Sequence, residues 1–204
     1  MVMTKIYKEL QLREREILRY AGCRTAEAEL VRLMQDCLKE AKEARVLGAQ
    51  LCFREYPLLL RAENGENVCE TAGFSVRSEA LAKNLQGCTS VLLLAVTAGV
   101  GIDRLIAKYG RIAPSKALMF QAIGAELVEQ ACDRFCEEYA QEQRCRLRPR
   151  FSPGYGDLPL ESQKNLFAVL DCARRIGLTL NDSLLMSPSK SVTAFVGVEK
   201  NDGF

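Results

Sequence analysis

The longest run of apolar residues in this chain, Val91–Val96, is only six residues long. A helix that crosses a membrane needs about 20 predominantly apolar residues, so we expect no span and no contact with a membrane. A short apolar run of this kind is typical of a strand that is buried on both faces. We therefore predict that residues 90–97 form a strand inside a sheet.

The residues before this strand predict two helices and a β-hairpin. Apolar residues among Arg and Glu over 8–21 indicate a short helix. Spacings of three and four after an N-cap at Thr25 indicate a longer helix that ends near Gly48. Asn64-Gly65 favours a tight hairpin turn with positive φ, and Pro57 predicts an edge strand or a strand start.

The order of the predicted elements decides the fold class. Helices, strands, helices and a final strand follow one another, which favours an α+β fold over a repeated βαβ plan. We predict one domain over 1–204, with a mainly antiparallel central sheet flanked by long helices. Residues 1–48 would form its helical N-terminal part and 49–204 its sheet-containing body. The remaining elements are predicted as helices over 78–85, about 101–108, 114–143 and 160–175, and a strand over 191–198.

Charge and composition exclude several classes of function. Lys plus Arg is 28 and Asp plus Glu is 26, which is too balanced to predict binding to nucleic acid. The first ten residues lack the apolar core of a secretion signal. The nine cysteines include no CxxC pair, so we expect reduced thiols in the cytoplasm and no metal site. Histidine is absent, which excludes a Ser-His-Asp or Cys-His nucleophile.

A glycine loop after the central strand is the first candidate for ligand binding. The residues Ala98-Gly99-Val100-Gly101 could present backbone N–H groups to an anion, faintly as in a Rossmann-like methyltransferase. However, Arg104 stands where the third glycine of that fingerprint would be. The alternative is a tight strand-to-helix turn with Asp103 in the first helical turn, where the helix dipole favours an acid.

Glu129 is the second candidate. It lies at helical spacing on a stripe formed by Leu118, Ala122, Ala125, Cys132 and Cys136. A carboxylate on an apolar stripe needs a partner, which could be an arginine, backbone donors or the hydroxyl groups of a ligand. Alternatively, Glu129 lies at the rim of the helix and reaches solvent.

The segment 144–155 is the third candidate, because four arginines alternate over 144–150 and Pro149 and Pro153 keep the chain extended. An extended backbone leaves N–H and C=O groups for a ligand, and arginine binds carboxylates with two hydrogen bonds. A solvated basic loop is the alternative.

Three separate motifs together resemble the activation (reactivation) domain of cobalamin (vitamin B12)-dependent methionine synthase, in its short free-standing form. The first is the long helix with Glu129, and the second is Arg150-Phe-Ser-Pro-Gly-Tyr155. The third is Gly177-Leu-Thr-Leu-Asn-Asp-Ser-Leu-Leu-Met-Ser-Pro-Ser-Lys-Ser-Val192. Their order and spacing match the family over about 114–198.

The resemblance implies a module that binds S-adenosylmethionine and docks on the cobalamin domain of a separate synthase. When that cobalamin is oxidised to cob(II)alamin, an electron donor such as a flavodoxin and the methyl group of S-adenosylmethionine restore it. This chain would contact cobalamin only through the partner protein that binds it. Arg150 would bind the methionine carboxylate and Glu129 would face the positive groups of the ligand. Backbone groups at Ser152 and Gly154 and the side chain of Tyr155 would complete the site.

The chain also departs from the long form of the family. After Tyr155 it reads Gly156-Asp-Leu-Pro-Leu-Glu-Ser162, without the cysteine and histidine of the family's Pro-Ala-Cys-Pro-x-His-Thr run. The cobalamin-binding Asp-x-His-x-x-Gly motif is absent too, so the chain is not expected to catalyse turnover alone. Other interpretations are a partner for another corrinoid methyltransferase, an independent small-molecule methyltransferase, and a thiol redox protein that uses Cys132 and Cys136.

Overall fold

The computed structural model describes residues 1–23 and 27–200, so the predicted N-cap Thr25 lies outside the described residues. The strands are β1 (Met3–Tyr7), β2 (Ala49–Glu63), β3 (Glu66–Thr71), β4 (Phe74–Arg77), β5 (Ser90–Thr97), β6 (Cys145–Leu147), β7 (Thr179–Leu180), β8 (Met186–Ser187) and β9 (Ser191–Lys200). The α-helices are α1 (Glu14–Tyr20), α2 (Ala28–Glu43), α3 (Glu79–Asn84), α4 (Val100–Tyr109), α5 (Pro114–Gln143), α6 (Gln163–Leu170) and α7 (Cys172–Ile176). A 3-10 turn, Leu160–Ser162, precedes α6.

Within the described residues, the main sheet has seven strands: six lie in the order β4-β3-β2-β5-β9-β6, and β1 pairs with β2 beside this path. Every pairing in it is antiparallel. All eight residues of β5 are buried, because β5 lies between β2 and β9 and helices cover both of its faces. This confirms the predicted buried strand and explains why its sequence is continuously apolar instead of alternating.

Two hydrophobic cores lie on the two faces of the sheet. Leu92, Leu94 and Val96 of β5 pack on one face against α1, α2, α4 and α5. Val91, Leu93 and Ala95 pack on the other against α3, α6 and α7. The α+β fold with a central antiparallel sheet flanked by long helices is therefore confirmed. Among the described residues no helix combines the length and the apolar character needed to cross a bilayer.

The hairpin turn between β2 and β3 is the predicted one. Asn64 and Gly65 have φ values of 51° and 83°, as a two-residue type I′ turn requires. Pro57 lies inside β2 rather than at its start. On one side of β2, the residues up to Phe53 pair with β1 and the residues from Leu58 onward pair with β3. Pro57 lies between these two paired stretches. No ladder hydrogen bond is lost, since that edge is open at Pro57.

The predicted boundaries in residues 1–48 need correction. This part is not only helical, because β1 pairs with residues 49–53 of β2. The sequence of β1 did not predict a strand, because Met3 and Ile6 of this edge strand are exposed. Helix α2, which was predicted to end near Gly48, ends at Glu43. A Cβ atom at Gly48 would lie 2.6 Å from the carbonyl oxygen of Tyr7, so this glycine permits the close approach of β1 to β2.

Candidate functional site

Helix α5 carries three acidic residues, Glu126, Glu129 and Asp133, at spacings of three and four. Such spacings place side chains on one face of a helix. Glu126 has no exposed surface, whereas the side chain of Glu129 is 36% exposed. The prediction that Glu129 lies on the apolar stripe of α5 was therefore wrong, because Glu129 lies at the edge of the buried face. Leu118, which was predicted to belong to the same stripe, is 54% exposed. The buried face is formed instead by Phe120, Ile123, Leu127, Ala131 and Phe135, among others.

Arg150 joins two of these acids. Its Nη2 lies 2.6 Å from Oε2 of Glu129, and its Nη1 lies 2.7 Å from Oδ1 of Asp133. Burial would lower the pKa of the guanidinium, but the carboxylates of Asp133 and Glu129 help to raise it above its ordinary value. Arg150 therefore stays charged. The sequence predicted a partner for Glu129, and an arginine from the extended segment fills that role.

The backbone on either side of Arg150 is fixed along β9. The N–H of Arg148 donates to the carbonyl oxygen of Gly197 at 2.8 Å, and Phe151 and Phe195 exchange two hydrogen bonds of 2.9 and 2.8 Å. The segment is therefore an added edge of the sheet rather than a free loop. This attachment brings the guanidinium over α5.

A cleft of about 820 Å³ opens beside this ion pair, a volume within the usual range for small-molecule sites. Of the five predicted site residues, Glu129, Arg150, Ser152 and Tyr155 line it, and Gly154 does not. The other residues of its wall are Asn84, Pro149, Phe151, Pro153, Gln163, Met186, Ser191, Val192 and Thr193. All three motifs that carry the family resemblance therefore meet at one cleft.

Gly154 shapes the turn that forms one wall. Its φ is +88°, which favours glycine, and its N–H donates to the carbonyl oxygen of Leu158 at 2.9 Å. That N–H is therefore already used within the turn. Tyr155 follows at the mouth of the cleft and is 69% exposed.

Asp157 attaches this turn to helix α3. Its carboxylate accepts hydrogen bonds from the Ser78 hydroxyl and from the backbone N–H groups of Glu79 and Ala80. These bonds, that of Ser78 first, lower the pKa of Asp157. A negative group at a helix N-terminus is favourable, so the capped helix fixes the end of the turn.

Two amide oxygens at the cleft have no hydrogen-bond partner within residues 1–23 and 27–200. They are Oε1 of Gln163 and Oδ1 of Asn84. Gln163 is only 5% exposed, and a buried amide without a partner is costly. Sequence reasoning missed both residues, because nothing in a helix sequence marks an amide that faces a cleft. It also missed Glu126 and Asp133, although their spacing from Glu129 could have revealed them.

The glycine loop lies apart from this cleft and forms a turn. Gly99 has a φ of 74°, and Asp103 lies in the first turn of α4. The carboxylate of Asp103 accepts the N–H of Ser189 at 2.7 Å and its hydroxyl at 2.6 Å. The N-terminus of α4 therefore already has a negative group, and this contact fixes the loop that enters β9. The structure supports the turn interpretation over the anion site.

The cysteines of α5 are poorly suited to thiol chemistry. Cys132 is buried and Cys136 is partly buried, and burial raises the pKa of both thiols. A raised pKa lowers the fraction of reactive thiolate. Over the described ranges 1–23 and 27–200, no group of three or more Cys, Asp or Glu residues is arranged to hold a metal ion.

Comparison with known proteins identifies the family. Residues 77–202, more than half of the chain, match the family model described as "Vitamin B12 dependent methionine synthase, activation domain". The chain belongs to this family. The matched range contains all five predicted site residues, and the resemblance inferred from the three motifs is confirmed. No curated protein matches the sequence.

A solved structure extends the likeness of this activation-domain protein to nearly its whole length. It is described as "Crystal Structure of the MetH Reactivation Domain bound to AdoHcy". The alignment covers 98% of this chain and 82% of that one, with a TM-score of 0.67 and 14% sequence identity. At this identity the likeness establishes the fold. It includes the N-terminal part, which the family model does not reach.

Proposed function

We propose that this activation-domain protein binds S-adenosylmethionine and supports the reductive methylation of cob(II)alamin on a separate cobalamin-dependent methionine synthase. The observation that carries the proposal is the cleft in which the Glu129–Arg150 pair meets the turn at Ser152–Tyr155 and the start of β9. Its support is that this cleft lies within the part of the chain that matches the activation-domain family.

The chemistry of the cleft fits the groups of S-adenosylmethionine. A guanidinium has five N–H donors, and two of those on Arg150 donate to Glu129 and Asp133. The remaining donors would bind the methionine carboxylate. Glu129 would stabilise the ammonium and sulfonium groups, whose positive charges an anionic side chain favours.

The neutral part of the ligand would contact the opposite wall. Backbone groups at Ser152 would donate and accept hydrogen bonds, and the ring of Tyr155 would pack against the ligand. Gly154 would act through its left-handed conformation, which shapes the turn between these two residues. The unpaired amide oxygen of Gln163 would accept a further hydrogen bond from the ligand.

The role of this chain is to position the methyl donor. One electron from a donor protein, such as a flavodoxin, and the methyl group of the sulfonium would together restore the methylated cofactor of the synthase, and S-adenosylhomocysteine would leave. The cobalt chemistry belongs to the cobalamin of the partner. Such a module would act in the cytoplasm, where the synthase and its electron donor are expected.

Titration calorimetry with S-adenosylmethionine tests the proposal. We expect saturable binding to the wild type and a loss of at least about tenfold in affinity in Glu129→Ala and in Arg150→Ala. Glu161→Ala and Arg174→Ala change exposed charges outside the cleft and should bind like the wild type. No binding to the folded wild type at millimolar ligand would contradict the proposal.

A second experiment tests the partner. Once binding is established, the immobilised protein is offered purified cobalamin-dependent methionine synthase and a different corrinoid methyltransferase, each with cob(II)alamin. Retention of the synthase supports the proposal, whereas retention of the other protein alone would favour a different corrinoid partner. Methyl transfer from S-adenosylmethionine without any corrinoid protein would indicate an independent methyltransferase.

A further inference from the structure

Five side chains of alternating charge form a row of ion pairs from the N-terminal segment to the cleft. Glu126 contacts Arg13, Arg13 contacts Asp133, Asp133 contacts Arg150, and Arg150 contacts Glu129. Arg13 and Asp133 do not line the cleft themselves. They are separated by 120 positions in the sequence, so only the fold brings them together.

Asp133 is placed to orient the guanidinium of Arg150. Its Oδ1 accepts from Nη1 of Arg150 at 2.7 Å, while Glu129 accepts from Nη2 at 2.6 Å. A planar group that is bound at both terminal nitrogens cannot rotate freely. Its remaining N–H groups therefore keep one direction, and ligand binding does not have to order them.

Asp133 is in turn fixed by Arg13. Its Oδ2 accepts from Nη2 of Arg13 at 3.3 Å. Arg13 is fixed by the buried carboxylate of Glu126, which accepts from its main-chain N–H at 3.1 Å and from its Nε at 2.8 Å. The far end of this row of ion pairs is thus a carboxylate without exposed surface, and two hydrogen bonds hold the half-exposed Arg13 on it.

We propose that Asp133 and Arg13 are positioning residues that orient Arg150 for the carboxylate of an amino-acid ligand. The inference rests on the proposed function and adds to it a requirement for the segment before α1. The part of the ligand that these two residues would affect is the amino-acid carboxylate, which the proposed function already assigns to Arg150, and not the nucleoside.

Two ligands that differ in that part test the inference. S-adenosylhomocysteine carries the amino-acid carboxylate, and 5′-methylthioadenosine keeps the nucleoside and the thioether but lacks it. We expect Asp133→Asn to weaken the binding of S-adenosylhomocysteine about tenfold and that of 5′-methylthioadenosine less than twofold. Arg13→Lys retains the charge but loses the forked geometry, and we expect a smaller loss that is again confined to the first ligand.

A double-mutant cycle separates positioning from a general effect. In an Arg150→Ala background, Asp133→Asn should cause no further loss of affinity for S-adenosylhomocysteine. Glu137→Gln, one helical turn further along α5 at an exposed position, is the matched control and should not change either affinity. If Asp133→Asn lowers the melting temperature strongly, Asp133→Glu retains the charge and is used in its place.

The outcomes distinguish this inference from the proposed function. Equal losses for both ligands, or no loss for either, would overturn the positioning role while the proposed function remained. A further loss from Asp133→Asn in the Arg150→Ala background would overturn it as well. Failure of the wild type to bind either S-adenosylmethionine or S-adenosylhomocysteine would overturn the proposed function and this inference with it.

Discussion

Arg13 neutralises Glu126, a carboxylate without exposed surface on the longest helix of the described chain. Its Nε lies 2.8 Å from Oε1 of Glu126, its Nη2 lies 3.3 Å from Oε2, and its main-chain N–H donates to Oε1 as well. Arg13 is the N-cap of α1, so this contact fixes the start of that helix on α5. Loss of the Arg13 side chain would leave the buried charge of Glu126 without its partner.

We therefore expect Arg13→Ala to lower the free energy of unfolding by about 2 kcal/mol, below the range for fully buried pairs because Arg13 is half exposed. The measurement is denaturant unfolding at neutral pH. Adding Glu126→Gln removes the buried charge and should restore part of the loss. Arg174→Ala, at an exposed position of α7, is the control. A double variant that is less stable than Arg13→Ala would contradict the buried-charge explanation.

Gln163 provides a prediction in which stability and binding change in opposite directions. Its Oε1 is buried without a partner in the described part of the chain, so Gln163→Leu should leave the free energy of unfolding unchanged or raise it. If the ligand satisfies this amide, the same change should weaken S-adenosylmethionine about tenfold. Thermal unfolding and calorimetry on one preparation measure both. Losses in stability and affinity together would mean that the amide has a structural role.

The sequence was most informative where one local feature determines the backbone. The run Val91–Val96 predicted a strand covered on both faces, and Asn64-Gly65 predicted a tight turn, because these choices depend on neighbours in the sequence. The extended backbone around Arg150 was predictable for the same reason, since Pro149 and Pro153 disfavour a helix there.

The sequence was least informative where the deciding contact is distant. Glu126 rather than Glu129 is the buried acid, and the small apolar residues of α5 could not reveal which side of the helix faces the core. The partner that makes Glu126 tolerable, Arg13, lies 113 positions away. Strand β1 was missed because an edge strand with exposed Met3 and Ile6 needs no alternating pattern.

The close approach of β1 to β2 can be tested at Gly48. A Cβ atom there would lie 2.6 Å from the carbonyl oxygen of Tyr7 and 2.9 Å from that of Lys8, and backbone atoms cannot move aside cheaply. We expect Gly48→Ala to lower the free energy of unfolding by about 2 kcal/mol. Gly110→Ala, whose Cβ would lie no closer than 3.4 Å to a neighbour, should change it by less than about 0.5 kcal/mol. Equal effects would contradict the predicted clash.

Glu138 connects β1 to α5 and should make stability depend on pH. Its carboxylate accepts hydrogen bonds from the Tyr7 hydroxyl at 2.6 Å and from Nε of Arg134 at 2.8 Å, and Nζ of Lys5 lies 2.5 Å away. Burial alone would raise the pKa of this carboxyl group, but the hydrogen bonds from Lys5, Tyr7 and Arg134 lower it to about 2.

The sign of the pH effect follows from that lowered value. The pKa of Glu138 is about 4.5 when the group is free and about 2 in the folded protein, so the unfolded chain binds the proton first as the pH falls. The stabilisation is present above about pH 4.5 and is lost progressively between pH 4.5 and 2. We expect Glu138→Gln to be less stable than the wild type by about 1 kcal/mol at pH 6, and this difference should shrink toward pH 2.5. Denaturant unfolding across that range, with the exposed Glu137→Gln as control, measures it. A difference that stays constant with pH would show that Glu138 acts through packing and not through its charge.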